Sequence, residues 1–139
     1  MESYPILRLK SKDSLKEIER FFEAEGSARG SDVLRQLGEG IIKKFEDMNS
    51  YPYDEYLERE SDSLQVNGDS LEVNFVCGSS GLDFLARLID LFGPLCESIS
   101  GEFSHDEEED NDFDLSLSYI NGKVMMMGKE YTFEPIYRD

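Results

Sequence analysis

Twelve residues constrain the fold of this chain more than any others. Leu64-Gln-Val66 and Leu71-Glu-Val-Asn-Phe75 alternate apolar and polar side chains, and Asn67-Gly68 stands between them. Strict alternation belongs to a strand with one covered face, and Asn-Gly readily takes the positive φ angles of a type I′ turn, so the stretch predicts a β-hairpin. The pattern recurs further on. Ile99 to Phe103 reads as a strand, and so does Phe113-Asp-Leu-Ser-Leu-Ser-Tyr119, whose Phe113, Leu115, Leu117 and Tyr119 share a face. Asn121-Gly122 offers a second hairpin turn, followed by Val124 to Met127, a Gly128-Lys129 turn and Tyr131-Thr-Phe133. The C-terminal third is thus expected to be an antiparallel meander.

Three helical patterns accompany these strands. After a first short strand, Tyr4 to Lys10, the S-x-x-E sequence Ser14-Leu-Lys-Glu17 has the form of a capping box. Leu15, Ile18, Phe21 and Phe22 continue it at helical spacing up to Gly26. Ser31 or Asp32 caps a second pattern carrying Val33, Leu34, Leu37, Ile41, Phe45 and Met48. Gly38 and Gly40 weaken that helix, and close approach of a neighbour is one reason for glycines there. The third helix, Leu82, Leu85, Leu88, Ile89 and Phe92, stops near Gly93–Pro94 and is expected at the centre of the core. Ser79 or Ser80 would cap it. Helices on one face of such a sheet make an α+β domain: an antiparallel sheet of about five to seven strands with about three helices packed on it. The length, 139 residues, and the 39% apolar content suit one domain, residues 1–139.

Charge is distributed unevenly. Residues 1–59 hold 10 basic and 13 acidic groups, whereas residues 60–139 hold 4 and 18, so most of the net −17 lies in the second part. Asp106, Glu107, Glu108, Glu109, Asp110, Asp112 and Asp114 put seven carboxylates into nine positions with no basic residue among them. Such a surface repels nucleic-acid phosphates and anionic lipid headgroups, so no nucleic acid and no membrane is expected as a partner. It would attract a basic protein and accelerate its association. The competing explanation is a solvated hairpin loop held open by its own repulsion. Against it stand the length of the run between two strands and the extension of the negative region through Glu97 and Glu102.

Known chemistries do not match. The acidic run lacks the glycine and flanking helices of a calcium loop, and one histidine, His105, without a nearby cysteine does not complete a transition-metal site, so neither metal nor cofactor is expected. Val76-Cys-Gly-Ser-Ser-Gly81 joins a strand to a helix, where a phosphate loop or an activated thiolate could sit. A P-loop would continue with Gly-Lys-Ser/Thr, a cysteine phosphatase would place arginine where Asp83 stands, and Gly78-Ser-Ser-Gly81 is one residue short of a nucleophile elbow. His105 among carboxylates makes a poor base. Met125-Met-Met127 suggests two core methionines and one exposed. Tyr53, Asp54, Glu55 and Tyr56 combine tyrosines with acids, a composition that suits a loop whose rings cap the core and also the anchoring of a protein interface.

These features favour a binding protein over an enzyme. The short N-terminal apolar content, the broken apolar stretch Leu82–Leu95 and the distant, apolar-flanked Cys77 and Cys96 indicate a cytoplasmic protein with reduced thiols. In size, acidity and absence of catalytic residues the chain resembles the immunity proteins that bacteria pair with nuclease or other cationic toxins, including those of contact-dependent growth inhibition. That resemblance, one of whole-chain character, implies that acidic groups occupy a toxin's basic active-site cleft and that tyrosines supply packed anchors. The partner would be a basic protein, a cationic toxin or nuclease domain. The alternatives are an acidic adaptor or nucleic-acid mimic that inhibits a host protein, and an enzyme using an unrecognised carboxylate pair.

Overall fold

A computed structural model describes residues 2–23, 39–49, 63–78, 80–105 and 115–133. The chain forms an α+β fold; its described residues build a seven-stranded antiparallel sheet with three α-helices. The elements are β1 (Ile6–Lys10), α1 (Leu15–Glu23), α2 (Glu39–Asn49), β2 (Leu64–Asn67), β3 (Ser70–Asn74), α3 (Gly81–Phe92), β4 (Ser98–Phe103), β5 (Leu115–Ile120), β6 (Lys123–Met126) and β7 (Lys129–Glu130). In space the strands run β2-β3-β1-β4-β5-β6-β7. The first strand therefore lies inside the sheet. It separates β3 from β4, which α3 connects, so β3-α3-β4 is a split β-α-β unit closed by β1.

Alternation decides which side chains meet the helices. Leu7 and Leu9 of β1, Leu71 and Val73 of β3, Ile99 and Phe103 of β4, Leu117 of β5 and Val124 of β6 all point to the covered face and are buried. Above them α3 lies against β1, β4, β5 and β6, α1 against β3, and α2 against α3. Rings link the layers. Phe21 of α1 meets Phe45 of α2 and Phe92 of α3 edge-on at 5.1 Å in each case, and Phe75, just past β3, meets Phe84 of α3 the same way. Each such pair contributes about 1 kcal/mol beyond the burial of its area. α3 settles close to the sheet because β4 offers Gly101 beneath Leu85, where an added Cβ would stand 2.7 Å from a Leu85 methyl.

Several local expectations shift. The β2–β3 loop is Gly68-Asp69, closed by the Asn67–Ser70 pair, and only Gly68 has positive φ (62°); this is the φ pattern of a type II′ rather than a type I′ turn. Asn67 belongs to the strand instead. The last turn is Met127-Gly128, after which β7 spans only Lys129–Glu130; Tyr131 still donates its N–H to the Val124 carbonyl at 2.8 Å. Of the methionine run only Met126 packs against the core, while Met125 lies half-buried on the other face and Met127 is exposed. Among the described residues nothing lies within 4 Å of where a Cβ on Gly40 would be, so no described neighbour accounts for it. Ser80 occupies the N-cap of α3 without a side-chain hydrogen bond. Gly26, Val33, Leu34, Leu37 and Gly38 lie outside the described residues, as do Ser31, Asp32, Ser79 and Phe113.

Candidate functional site

Every described helix sits on one side of the sheet, and the other side is open among the described residues. Register arranges it in rows. One row runs Glu72, Arg8, Ser100, Ser118, Met125 across β3, β1, β4, β5 and β6. The next contains Asn74, Ile6, Glu102 and Ser116. Beyond it the strands are prolonged by isolated bridges from Ser3 to Cys77 and from Ser3 to His105, which bring Tyr4 beside Val76 and Ser104. The Tyr4 N–H donates to the Ser104 carbonyl at 2.8 Å.

Charge on this face centres on Arg8. Its Nε meets Glu72 Oε1 at 2.9 Å and its Nη1 meets Glu102 Oε1 at 2.8 Å, so one guanidinium serves carboxylates on both neighbouring strands. Burial works against the Arg8 charge, but the hydrogen bonds and attraction of Glu102 and then Glu72 outweigh it and hold its pKa above the ordinary value. Two concavities flank this network. One, of about 370 Å³, lies over Lys10, Gln65, Asn67, Ser70 and Ser98. The other, of about 320 Å³, is lined by Tyr4, Ile6, Glu102, Ser116 and Met127. Two of the exposed apolar side chains stand near the second, while Ile120 is exposed at the other end of the face. Met127 is 64% exposed and Val76, beside Tyr4, 66%.

The described flanks of the acidic run stand at this same end of the sheet. They are β4 and β5, paired from Phe103–Leu115 to Ser100–Ser118, and His105 is held by its bridge to Ser3. Asp106, Glu107, Glu108, Glu109, Asp110, Asp112 and Asp114 themselves lie outside the described residues, as do Tyr53, Asp54, Glu55 and Tyr56. The residues that strand register brings together are others: Tyr4, Ile6, Arg8, Glu102 and Met127. Alternation in Tyr4–Lys10 already sets Tyr4, Ile6 and Arg8 on the face opposite Leu7 and Leu9. Their junction with Met127, at the far end of the chain, is carried by non-local pairing.

On the covered side Ser3, Cys77 and His105 stand in one row beneath the start of α3. The Ser3 hydroxyl donates to the Gly78 carbonyl at 2.8 Å, and a Cβ on Gly81 would collide with the Ser3 Oγ and crowd Cys77, so there is no spare room between these two and α3. Burial pushes the thiols of Cys77 and Cys96 up to about 12, which removes the thiolate a nucleophile needs. The row is a structural junction. A second buried cluster joins Asp83 in the first turn of α3 to Arg87 at 2.7 Å and to the Tyr131 hydroxyl, which donates at 3.0 Å, while Arg87 stacks over Phe133 at 5.1 Å. It fastens the segment after β7 onto α3.

Among the described residues no three His, Cys, Asp or Glu side chains are placed to hold a metal ion, and no helix is long and apolar enough to cross a membrane. Comparison of the chain with protein-family models, curated proteins and solved structures finds no match.

Proposed function

We propose that the chain is a protein-binding domain of the immunity type, which neutralises a cationic toxin, such as a nuclease domain, by occluding its active site in a bacterial cytoplasm. The observation that supports this reading is where the described flanks of the acidic run stand. The strands that flank it in sequence, β4 and β5, are neighbours in the sheet, and their described ends at His105 and Leu115 lie at one end of an open face; the sequence sets the seven carboxylates between them. That end also bears the exposed apolar side chains Val76 and Met127. An apolar centre beside a charged rim is the composition of a protein interface, and its charge selects a basic partner. Tyr53, Asp54, Glu55 and Tyr56 would add anchors of the same character. The free thiols Cys77 and Cys96 suit a reducing compartment.

The test begins with affinity capture on the immobilised chain and elution with salt, followed by kinetics with the purified partner. A basic protein is expected, encoded next to this chain. Replacing Glu107, Glu108 and Asp110 by Lys should slow its association at low salt by about tenfold or more and flatten the dependence on salt. An unchanged rate and affinity, or recovery of neutral and acidic proteins only, would overturn the reading.

A further inference from the structure

The smaller concavity on the open face combines apolar, aromatic and carboxylate side chains. Ile6 and the exposed thioether of Met127 form apolar walls, Tyr4 adds a ring, and Glu102 supplies a carboxylate that is 61% exposed. The ions around it do not balance. Among the described residues Arg8 is shared by two carboxylates, Glu72 and Glu102, so one negative charge is left over, and Glu2 accepts a hydrogen bond from the Tyr4 hydroxyl at 3.0 Å.

Met127 carries a second mark. The β5–β6 and β6–β7 turns have the same two-residue form with both central φ angles positive: Asn121 (54°) and Gly122 (80°) in the first, Met127 (50°) and Gly128 (86°) in the second. Asparagine is the side chain that tolerates this conformation, as the first turn illustrates. Methionine is not, and strain of this kind is retained where the side chain has a use. Its sulfur lies 3.4 Å from the Ser116 hydroxyl, at the lip of the concavity.

We propose that this concavity receives one arginine side chain of the cationic partner, its stem against Ile6 and Met127 and its guanidinium on Glu102. The inference rests on the basic-partner reading above and names the side chain that the open face takes. Charge complementarity selects the occupant. An uncharged apolar group would strip water from Glu102 without replacing it, whereas a guanidinium brings the missing positive charge, and its planar fork suits a carboxylate beside a ring. Arg8 keeps Glu72 throughout.

The test needs no partner protein. The whole chain, labelled at the Ile6 δ1 and Met127 ε methyls, is titrated with Nα-acetyl-arginine amide and, in parallel, with Nα-acetyl-norleucine amide. The arginine probe should shift both methyls saturably, and the norleucine probe neither. Glu102→Gln should weaken the response about tenfold, as loss of a hydrogen bond to a charged group does. Met127→Asn, which suits the turn better, should keep the fold and weaken the response at Ile6. Equal shifts with norleucine, no saturable shift at either methyl, or indifference to Glu102→Gln would each overturn the proposal. Lysine substitutions at Glu107, Glu108 and Asp110 should leave the methyl response in place. The pocket can therefore fail while the acidic run still recruits a basic protein, and the reverse result is equally readable.

Discussion

Asp83 shows what a buried charge costs and how this chain meets the cost. Its carboxylate, 1% exposed, takes both Arg87 and the Tyr131 hydroxyl, so neither oxygen has lost water without a replacement. Removing one member leaves the others buried. Asp83→Ala should lower the stability of the fold by about 3 kcal/mol, measured as the urea midpoint, and a loss no larger than that of an exposed carboxylate would refute this account. Cys77 carries a different penalty, against ionisation. In the unfolded chain its thiol releases a proton near its ordinary value of 9.0, whereas in the folded chain it holds the proton to about 12. The folded state therefore binds more protons between those values, and stability is unaffected below pH 9 and falls as pH rises toward 12. The slope should be on the order of 1 kcal/mol per pH unit for this thiol, and Cys77→Ala should remove that share while leaving the similar one of Cys96, whose thiol burial raises in the same way. At pH 8 a thiol reagent should leave Cys77 unreacted until the chain unfolds.

Elements differ in how openly the chain announces them. β4, Ser98–Phe103, alternates without a fault and its exposure follows the letters one for one, because a strand covered on a single face needs only local spacing to be recognised. The helical spacing of α1 and α3 is equally legible, in α1 from the apolar stripe Ile18, Phe21, Phe22 and in α3, which is buried almost all round, from its apolar length. Met125-Met-Met127 offers no alternation, so the core position of Met126 emerges only from its pairing with Leu117. The Asn67-Gly68 signal is genuine yet one residue off, since Gly68 alone meets the positive φ that a two-residue loop beginning with glycine requires. The candidate pocket was the least visible feature, because register sets Tyr4 and Ile6 of one terminal region beside Met127 of the other. The β6–β7 turn provides the test at this scale. Met127→Asn removes a side chain that tolerates φ 50° poorly and should stabilise the fold by up to about 1 kcal/mol in chemical denaturation. A destabilised variant would mean that the Met127 contact with Ser116, not ligand binding, keeps methionine in the turn.

Across the whole molecule the charge imbalance acts on folding and on binding with opposite signs. A net charge of −17 repels itself most strongly in the compact state, and salt screens that repulsion over about 10 Å at 0.1 M. The same screening weakens attraction to a cationic protein. Raising sodium chloride from low to physiological concentration and beyond should therefore raise the melting temperature of the isolated chain while lowering the association rate with its partner. A gain of about 1 kcal/mol would appear as a shift of about 4 °C for a domain of this size. Salt also strengthens apolar burial, so the shift alone does not identify its cause. Replacing Glu107, Glu108 and Asp110 by Lys separates the two, since three such changes take the net charge from −17 to −11 with the apolar core untouched. If repulsion within the acidic run is what salt relieves, the variant should melt higher than the parent at low salt, and the two should converge as salt rises. Parallel melting curves at every salt concentration would instead mean that those carboxylates cost the fold nothing, as expected of groups held far apart in solvent, and would remove the selective reason to regard their concentration as functional.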